Sequence, residues 1–159
     1  MTKMLAFDTS TTATGWALYI DGKLNDYGCL EFKSDIPSDV RFEMMVNKIY
    51  RKIDEVRPQI VVTEQTSLSK RANNIKTQIM LTQVLGAVWG KCLLVDAYYH
   101  FFTPSEWRKL VDPEKKPRKR EELKKWSIDK VNSFLKTEIN NDNISDAILI
   151  GMAYINLFK

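Results

Sequence analysis

The sequence predicts an α/β fold on a five-stranded mixed sheet, the first three strands an antiparallel meander and the later ones parallel, flanked by helices. Three observations predict it. Residues 3–33 carry three strand-like runs, with the dipeptide Asp21-Gly22 between the last two. From residue 37 onward, stretches with apolar residues at helical spacing alternate with short β-rich runs. A strand reached through a helix pairs in parallel, because parallel neighbours need a crossover.

Taken in order, residues 3–9, 13–21 and 24–33 are the first three strands. Asp and Gly tolerate positive φ, so Asp21-Gly22 suits a type I′ hairpin turn. Pro37 fits a first helical turn, and Phe42, Met45, Ile49, Ile53 and Val56 keep helical spacing until Pro58, a helix of about 19 residues. QIVVTE (59–64) is short and β-branched, as a buried parallel strand should be. A second helix covers 73–90 with Ile75, Ile79, Leu81, Leu85 and Val88. CLLVDA (92–97) and YHFFT (99–103) read as a fifth strand broken by a turn. A short helix near 104–110, a Pro- and Lys-rich loop at 112–119, a helix at 120–135 and a last helix at 143–157 follow.

A chain of 159 residues, 44% of them hydrophobic, suits one domain spanning 1–159. Cys29 and Cys92 stand far apart, in neither a metal spacing nor a disulfide framework, and both are expected reduced. The N-terminus lacks a signal-peptide pattern, and no apolar run approaches the roughly 18 residues of a membrane span. A soluble, cytoplasmic protein with no membrane partner is expected. The window 105–125 holds nine Lys/Arg against five Asp/Glu, which equals the formal charge of +4 for the whole chain. Concentrated positive charge suits a polyanion such as nucleic acid, or else marks a solvated loop and helix face.

Two acids sit oddly. Asp8 closes the apolar run 4–7 and Glu64 closes the run 60–63. If those strands are parallel neighbours, both carboxylates leave the sheet at one end, about 4.8 Å apart, near the roughly 3.5–4 Å ion spacing of two-metal phosphoryl-transfer sites. Asp146 enters the last helix ahead of Ile148, Met152 and Ile155, where an inward acid is costly unless neutralised. Mg²⁺ or Mn²⁺, both oxygen-seeking, would remove the repulsion among the three. Each acid also has an ordinary reading: Asp8 in an Asx-turn, Asp146 as a first-turn helix acid, Glu64 paired with Lys70 or Arg71.

In this order, FDTSTTATGWAL, VVTEQ, TPSEWRK, PRKREELKKW and NISDAILIGMAY resemble the RuvC family of Holliday junction resolvases, a branch of the RNase H-like nuclease superfamily. The resemblance spans nearly the whole chain, in the compact form of phage-encoded members, whose compartment is the host cytoplasm. It implies an RNase H-like fold and a Mg²⁺-dependent endonuclease, with Mn²⁺ as a substitute, one or two ions per site and no organic cofactor. It also implies a homodimer that nicks four-way and other branched DNA. Asp8, Glu64 and Asp146 match the family's acids; the first acid of its last-helix D-x-x-D motif falls on Asn143, which is neutral. Asp142, four positions before Asp146, is a substitute if the helix extends that far, and Asn143 is otherwise an N-cap. The resemblance places Arg108 and Arg120 near the scissile phosphate and the junction backbone. Lys115, Lys116, Arg118 and Lys119, in the Pro-punctuated loop, are the further DNA contacts expected. Thr66, Ser67 and Leu68 stand where family members often carry an aromatic residue, so forks and flaps are expected substrates too.

Two other classes stay open. LAFDTSTT also resembles the phosphate-binding first strand of actin-like ATPases, although the chain lacks a later Gly-rich adenosine loop. The other is a non-catalytic branched-DNA binder whose metal site Asn143 has disabled. His100 reads as a strand residue, Trp107 as a packed helix residue, and Trp16, Trp89 and Trp126 as core or dimer surface.

Overall fold

Successive strand residues face opposite sides of a sheet, so residues of one parity share a face. The computed structural model describes residues 1–33, 35–65, 75–114 and 116–158. Its strands are β1 (Lys3–Asp8), β2 (Ala13–Ile20), β3 (Lys23–Glu31), β4 (Ile60–Glu64) and β5 (Tyr98–Phe102). They form one mixed sheet in the order β3-β2-β1-β4-β5. The pairs β1·β2 and β2·β3 are antiparallel, and β1·β4 and β4·β5 are parallel. Asp21 (φ 48°) and Gly22 (φ 76°) make the expected positive-φ turn between β2 and β3.

The helices are α1 (Ser38–Val56), α2 (Ile75–Leu94), α3 (Pro104–Val111), α4 (Arg120–Leu135) and α5 (Asp142–Leu157). Leu5, Phe7, Trp16 and Val61 point to the face covered by Met45, Ile49 and Ile53 of α1 and Val84, Val88 and Cys92 of α2. Met4, Ala6, Ala17, Tyr19 and Val62 point to the other face, under Ala147, Ile148, Ile150 and Ala153 of α5, with Trp107 of α3 and Val131 of α4 beside them. Each fully buried Ile or Leu of α5 contributes about 1.5–3 kcal/mol of transfer free energy. Among the described residues no helix is long and apolar enough to cross a membrane.

Several boundaries differ from the sequence reading. Cys92–Leu94 extend α2 rather than open a strand: Val84, Val88 and Cys92 repeat every four residues on its buried side, and Asp96 (φ 54°) turns the chain into β5. Pro37 is the N-cap of α1, outside its first turn. Residues 73 and 74 of the expected second helix, like Thr66, Ser67, Leu68, Lys70 and Arg71, lie outside the described residues. The last helix begins at Asp142, because the Asn141 side chain caps it by accepting from the Ile144 amide at 3.1 Å. Asn143 is therefore not the cap.

How closely α5 lies on the sheet is set by two glycines. A Cβ on Gly151 would sit 2.3 Å from the Tyr19 ring, whose hydroxyl donates to the Ile148 carbonyl at 2.7 Å. At Gly15 a Cβ would lie 1.9 Å from the Asn143 carbonyl oxygen and 2.9 Å from the Ile144 nitrogen, both backbone atoms that cannot turn aside. Gly15→Ala should accordingly lower the unfolding free energy by about 2–3 kcal/mol in urea denaturation. Gly86→Ala, whose added carbon meets nothing within 4 Å in α2, should raise it by about 0.5–1 kcal/mol. Equal stabilities for the two variants would refute the close approach of α5.

Candidate metal centre and nucleic-acid interface

Asp8 and Glu64 each stand one residue beyond the last paired position, Phe7 opposite Thr63, of the parallel β1·β4 ladder. By alternation both face the side of Ala6 and Val62, under α5. Asp146 arrives from the second turn of α5, whose first turn rests on Gly15, the β2 partner of Asp8. The turn after β1 is tied by Ser10 and Thr14, through Ser10 Oγ to the Thr12 and Ala13 amides and Thr14 Oγ1 to the Ser10 amide. Asp142 lies one helical turn before Asp146.

The three carboxyls resist ionisation together. Burial, then the charges of Asp146, Glu64 and Asp142, pushes the Asp8 carboxyl well above the usual carboxylate range, against a lowering pull from Arg108. Burial lifts Asp146 to about 6; a hydrogen bond from Ser127 opposes this, and Glu64 adds to it. Glu64 is raised by burial and held down by Trp107 and Arg108. Charges in such surroundings act over a few ångströms, so these mutual effects report proximity. One oxygen of Asp146, Oδ1, is buried with no hydrogen-bond partner among the described residues.

Two supporting residues escape a sequence reading. Trp107, fully buried, donates its indole N–H to Glu64 Oε2 at 2.5 Å. Its ring carries the Arg108 guanidinium at 4.6 Å, and Arg108 Nη2 is 3.8 Å from the same Glu64 oxygen. A capping box fixes α3: the Glu106 amide donates to Thr103 Oγ1 at 3.4 Å and the Thr103 amide to Glu106 Oε2 at 2.7 Å. Ser127 is the second residue, buried on α4 and bonded to Asp146. A signal for it existed, since Leu123, Ser127 and Val131 repeat at i,i+4 and the serine interrupts an apolar stripe.

Among the described residues no three His, Cys, Asp or Glu side chains converge as a ready cation cage. Glu64 is turned toward Trp107 and Arg108, and Asp142 toward Lys124, whose Nζ is 3.1 Å from Asp142 Oδ2. The all-oxygen donors and the orphaned Asp146 oxygen nevertheless fit a hard divalent cation. Of the basic residues, Arg108 reaches the acids, while Arg118, Lys119 and Arg120 are exposed on the surface. Lys116 folds inward to Asp112 at 3.4 Å, which also takes Lys130 at 2.8 Å. Lys115 lies outside the described residues. A cleft of about 570 Å³ beside Arg108 is lined by Thr103, Pro104, Lys109, Lys116 and Leu123. His100 is a strand residue, its ring edge-on to Phe102 and Tyr154.

No family model matches the sequence. Curated proteins give no match either. Solved structures do. The chain superposes on T. thermophilus RuvC in complex with Holliday junction substrate with TM-score 0.75 and 15% identity, covering 99% of this chain and 95% of that one. The chain has the RuvC fold. A second Thermus thermophilus RuvC structure gives TM-score 0.74 at 16% identity over 98% of this chain and 95% of the other. The yeast mitochondrial Holliday junction resolvase Ydc2 gives 0.60 at 10% identity, over 98% and 78%. The β3-β2-β1-β4-β5 order of this RuvC-like sheet puts Asp8 and Glu64 on adjacent central strands.

The raised carboxyl of Asp146 fixes a direction of pH dependence. At about 6 in the folded chain, against an ordinary 3.8, it binds a proton more tightly folded than unfolded. That group favours the fold below about pH 4, and its favour is lost as pH rises through about 6. Asp146→Asn removes the penalty, so its melting temperature in chelator should exceed wild type by about 3–6 °C at pH 7, with little difference at pH 4. A gain of the same size at both pH values would contradict this.

Proposed function

We propose that this chain is a divalent-metal-dependent endonuclease that nicks four-way and other branched DNA. The observation that carries the reading is the buried oxygen of Asp146, without a hydrogen-bond partner among the described residues, beside two more carboxylates on adjacent strand ends. The RuvC fold, seen in a neighbour in complex with Holliday junction substrate, supports the substrate class. Asp8, Glu64 and Asp146 would hold Mg²⁺, or Mn²⁺ in its place; Asn143 and Asp142 stand at the rim of the set. A metal held there would supply the Lewis acidity that hydrolysis of a backbone phosphate needs. Trp107 and Ser127 fix the directions of Glu64 and Asp146. Arg108 meets the phosphate beside Glu64, and Lys115, Lys116, Arg118, Lys119 and Arg120 contact the DNA backbone.

A two-fold junction calls for an isologous pair of sites, and hence a homodimer. Trp89 and Leu93 of α2, exposed at 51% and 72%, stand with Ile79 and Phe101 as an apolar surface on the face of the sheet opposite the acids. This face carries the dimer contact. The neutral Asn143 favours one other reading, a branched-DNA binder without cleavage.

Incubation of labelled four-way, three-way and linear DNA with and without Mg²⁺ decides between the two. Asp8→Asn, Glu64→Gln and Asp146→Asn should each reduce nicking by at least about 100-fold while junction affinity stays within about threefold. Wild-type binding with no nicking at any Mg²⁺ or Mn²⁺ concentration would leave the binder. Sedimentation with a fluorescent junction tests the surfaces. Arg118→Ala with Lys119→Ala should flatten the salt slope of binding by about two units, and Trp89→Asp should place one chain on a junction that holds two of the wild type. Unchanged slope and stoichiometry would remove both surfaces from the proposal.

A further inference from the structure

The sheet ends in an open edge at β5, which among the described residues pairs with β4 alone. The Tyr98 amide donates to the Gln59 carbonyl at 2.8 Å and the Phe102 carbonyl accepts from the Gln65 amide at 2.7 Å, so the even-numbered residues turn their backbone groups toward β4. Alternation turns the N–H and C=O of Tyr99 and Phe101 outward. Such an edge is a template for another strand unless charge, proline or a bulge blunts it. The strand YYHFF has no proline and an unbroken register, and burial pulls its His100 below the ordinary histidine value, which leaves the ring neutral at pH 7.

Beside this edge lies a cavity of about 530 Å³, lined by His100 and Phe102 of β5, Leu110 of α3 and Leu157 of α5. Phe101 belongs to both the edge and the cavity. At the rim, Glu106 is engaged, its Oε2 accepting from the Thr103 amide and hydroxyl at 2.7 and 2.8 Å. Lys109, the cation of the lining, has no ion pair among the described residues. We propose that the open edge of β5 docks an extended peptide of a partner protein. The peptide adds a strand beside Tyr99 and Phe101, seats a large apolar side chain in the cavity and sets an acid against Lys109. Each requirement has its own source: unpaired backbone groups call for an extended chain, the aromatic and aliphatic lining for an apolar side chain, and the free ammonium for an acid. Alternate residues of a strand face one way, so the apolar residue and the acid stand two apart. A second copy of β5 does not meet these requirements, because YYHFF holds no acid. The docking edge does not depend on the nuclease reading.

Fluorescence polarisation tests it with labelled peptides of about six residues, alternating Thr and Val, in which one Phe or Leu precedes an Asp by two positions. These should bind with a dissociation constant of about 10–100 μM, and Lys in place of the Asp should weaken binding about tenfold. In Lys109→Glu that preference should invert. Leu157→Asp, at a position already 45% exposed, should weaken binding at least about tenfold while the melting temperature stays near that of wild type. N-methylation of the peptide amides that face β5 should abolish binding, and hydrogen exchange at the Tyr99 and Phe101 amides should slow about tenfold when peptide is added. Equal binding by the methylated peptide, or unslowed exchange at those two amides, would overturn the strand addition. Failure of both the Phe and the Leu peptide to bind below about 1 mM, or indifference to the exchange of Asp for Lys, would overturn the choice of partner. Self-association of the wild type that Leu157→Asp removes would identify a second copy as the occupant and overturn it equally.

Discussion

Gly15 stands where any side chain would strike the Asn143 carbonyl, and the rest of the candidate site is a consequence of that missing atom. Because β2 offers bare backbone opposite Asp8, α5 can bring its first turn down onto the sheet. Asp142 and Asp146 come down with it. A side chain at position 15 would push the first turn of α5 off the sheet at the point where it covers Asp8. The second contact, Gly151 under the Tyr19 ring, holds the same helix further along and keeps it parallel to the sheet surface that Ala147 and Ala153 cover.

Bringing acids this close has an electrostatic cost that the protein offsets only in part. Arg108 and Trp107 relieve Glu64, Ser127 relieves Asp146, and Lys124 relieves Asp142. For Asp8, Arg108 acts as a lowering influence against burial and three acids. The remaining strain has the sign that a cation removes.

What could be read in the chain follows from how local each signal is. Asp21-Gly22 names its own turn, and the apolar runs ending in Asp8 and Glu64 announce two strand ends from neighbouring residues alone. That β1 and β4 are parallel neighbours stood only as a condition in the sequence, because order within a sheet is set by tertiary pairing. CLLVDA failed as a strand because its apolar residues continue the four-residue repeat of α2, and a short apolar run fits either element. Trp107, Ser127 and Lys124 could not be assigned partners, since each meets an acid more than fifteen residues away through tertiary packing. Capping misled in a similar way: three of the four residues 140–143 are Asn, and backbone geometry selects Asn141.

The division of labour between the two faces of the sheet has a mechanical meaning. The acids, Trp107, Arg108 and Lys124 all belong to the α3, α4 and α5 side, while α1 and α2 fill the other with a separate core. Only the strands are shared, and their buried residues, such as Phe7, Val61 and Val62, are close-packed. An association through the outer surface of α2, as proposed above, would engage residues on the face away from the acids. In the nuclease proposed above, a two-fold substrate would have the spacing of its cuts fixed by one face and the chemistry of each cut by the other.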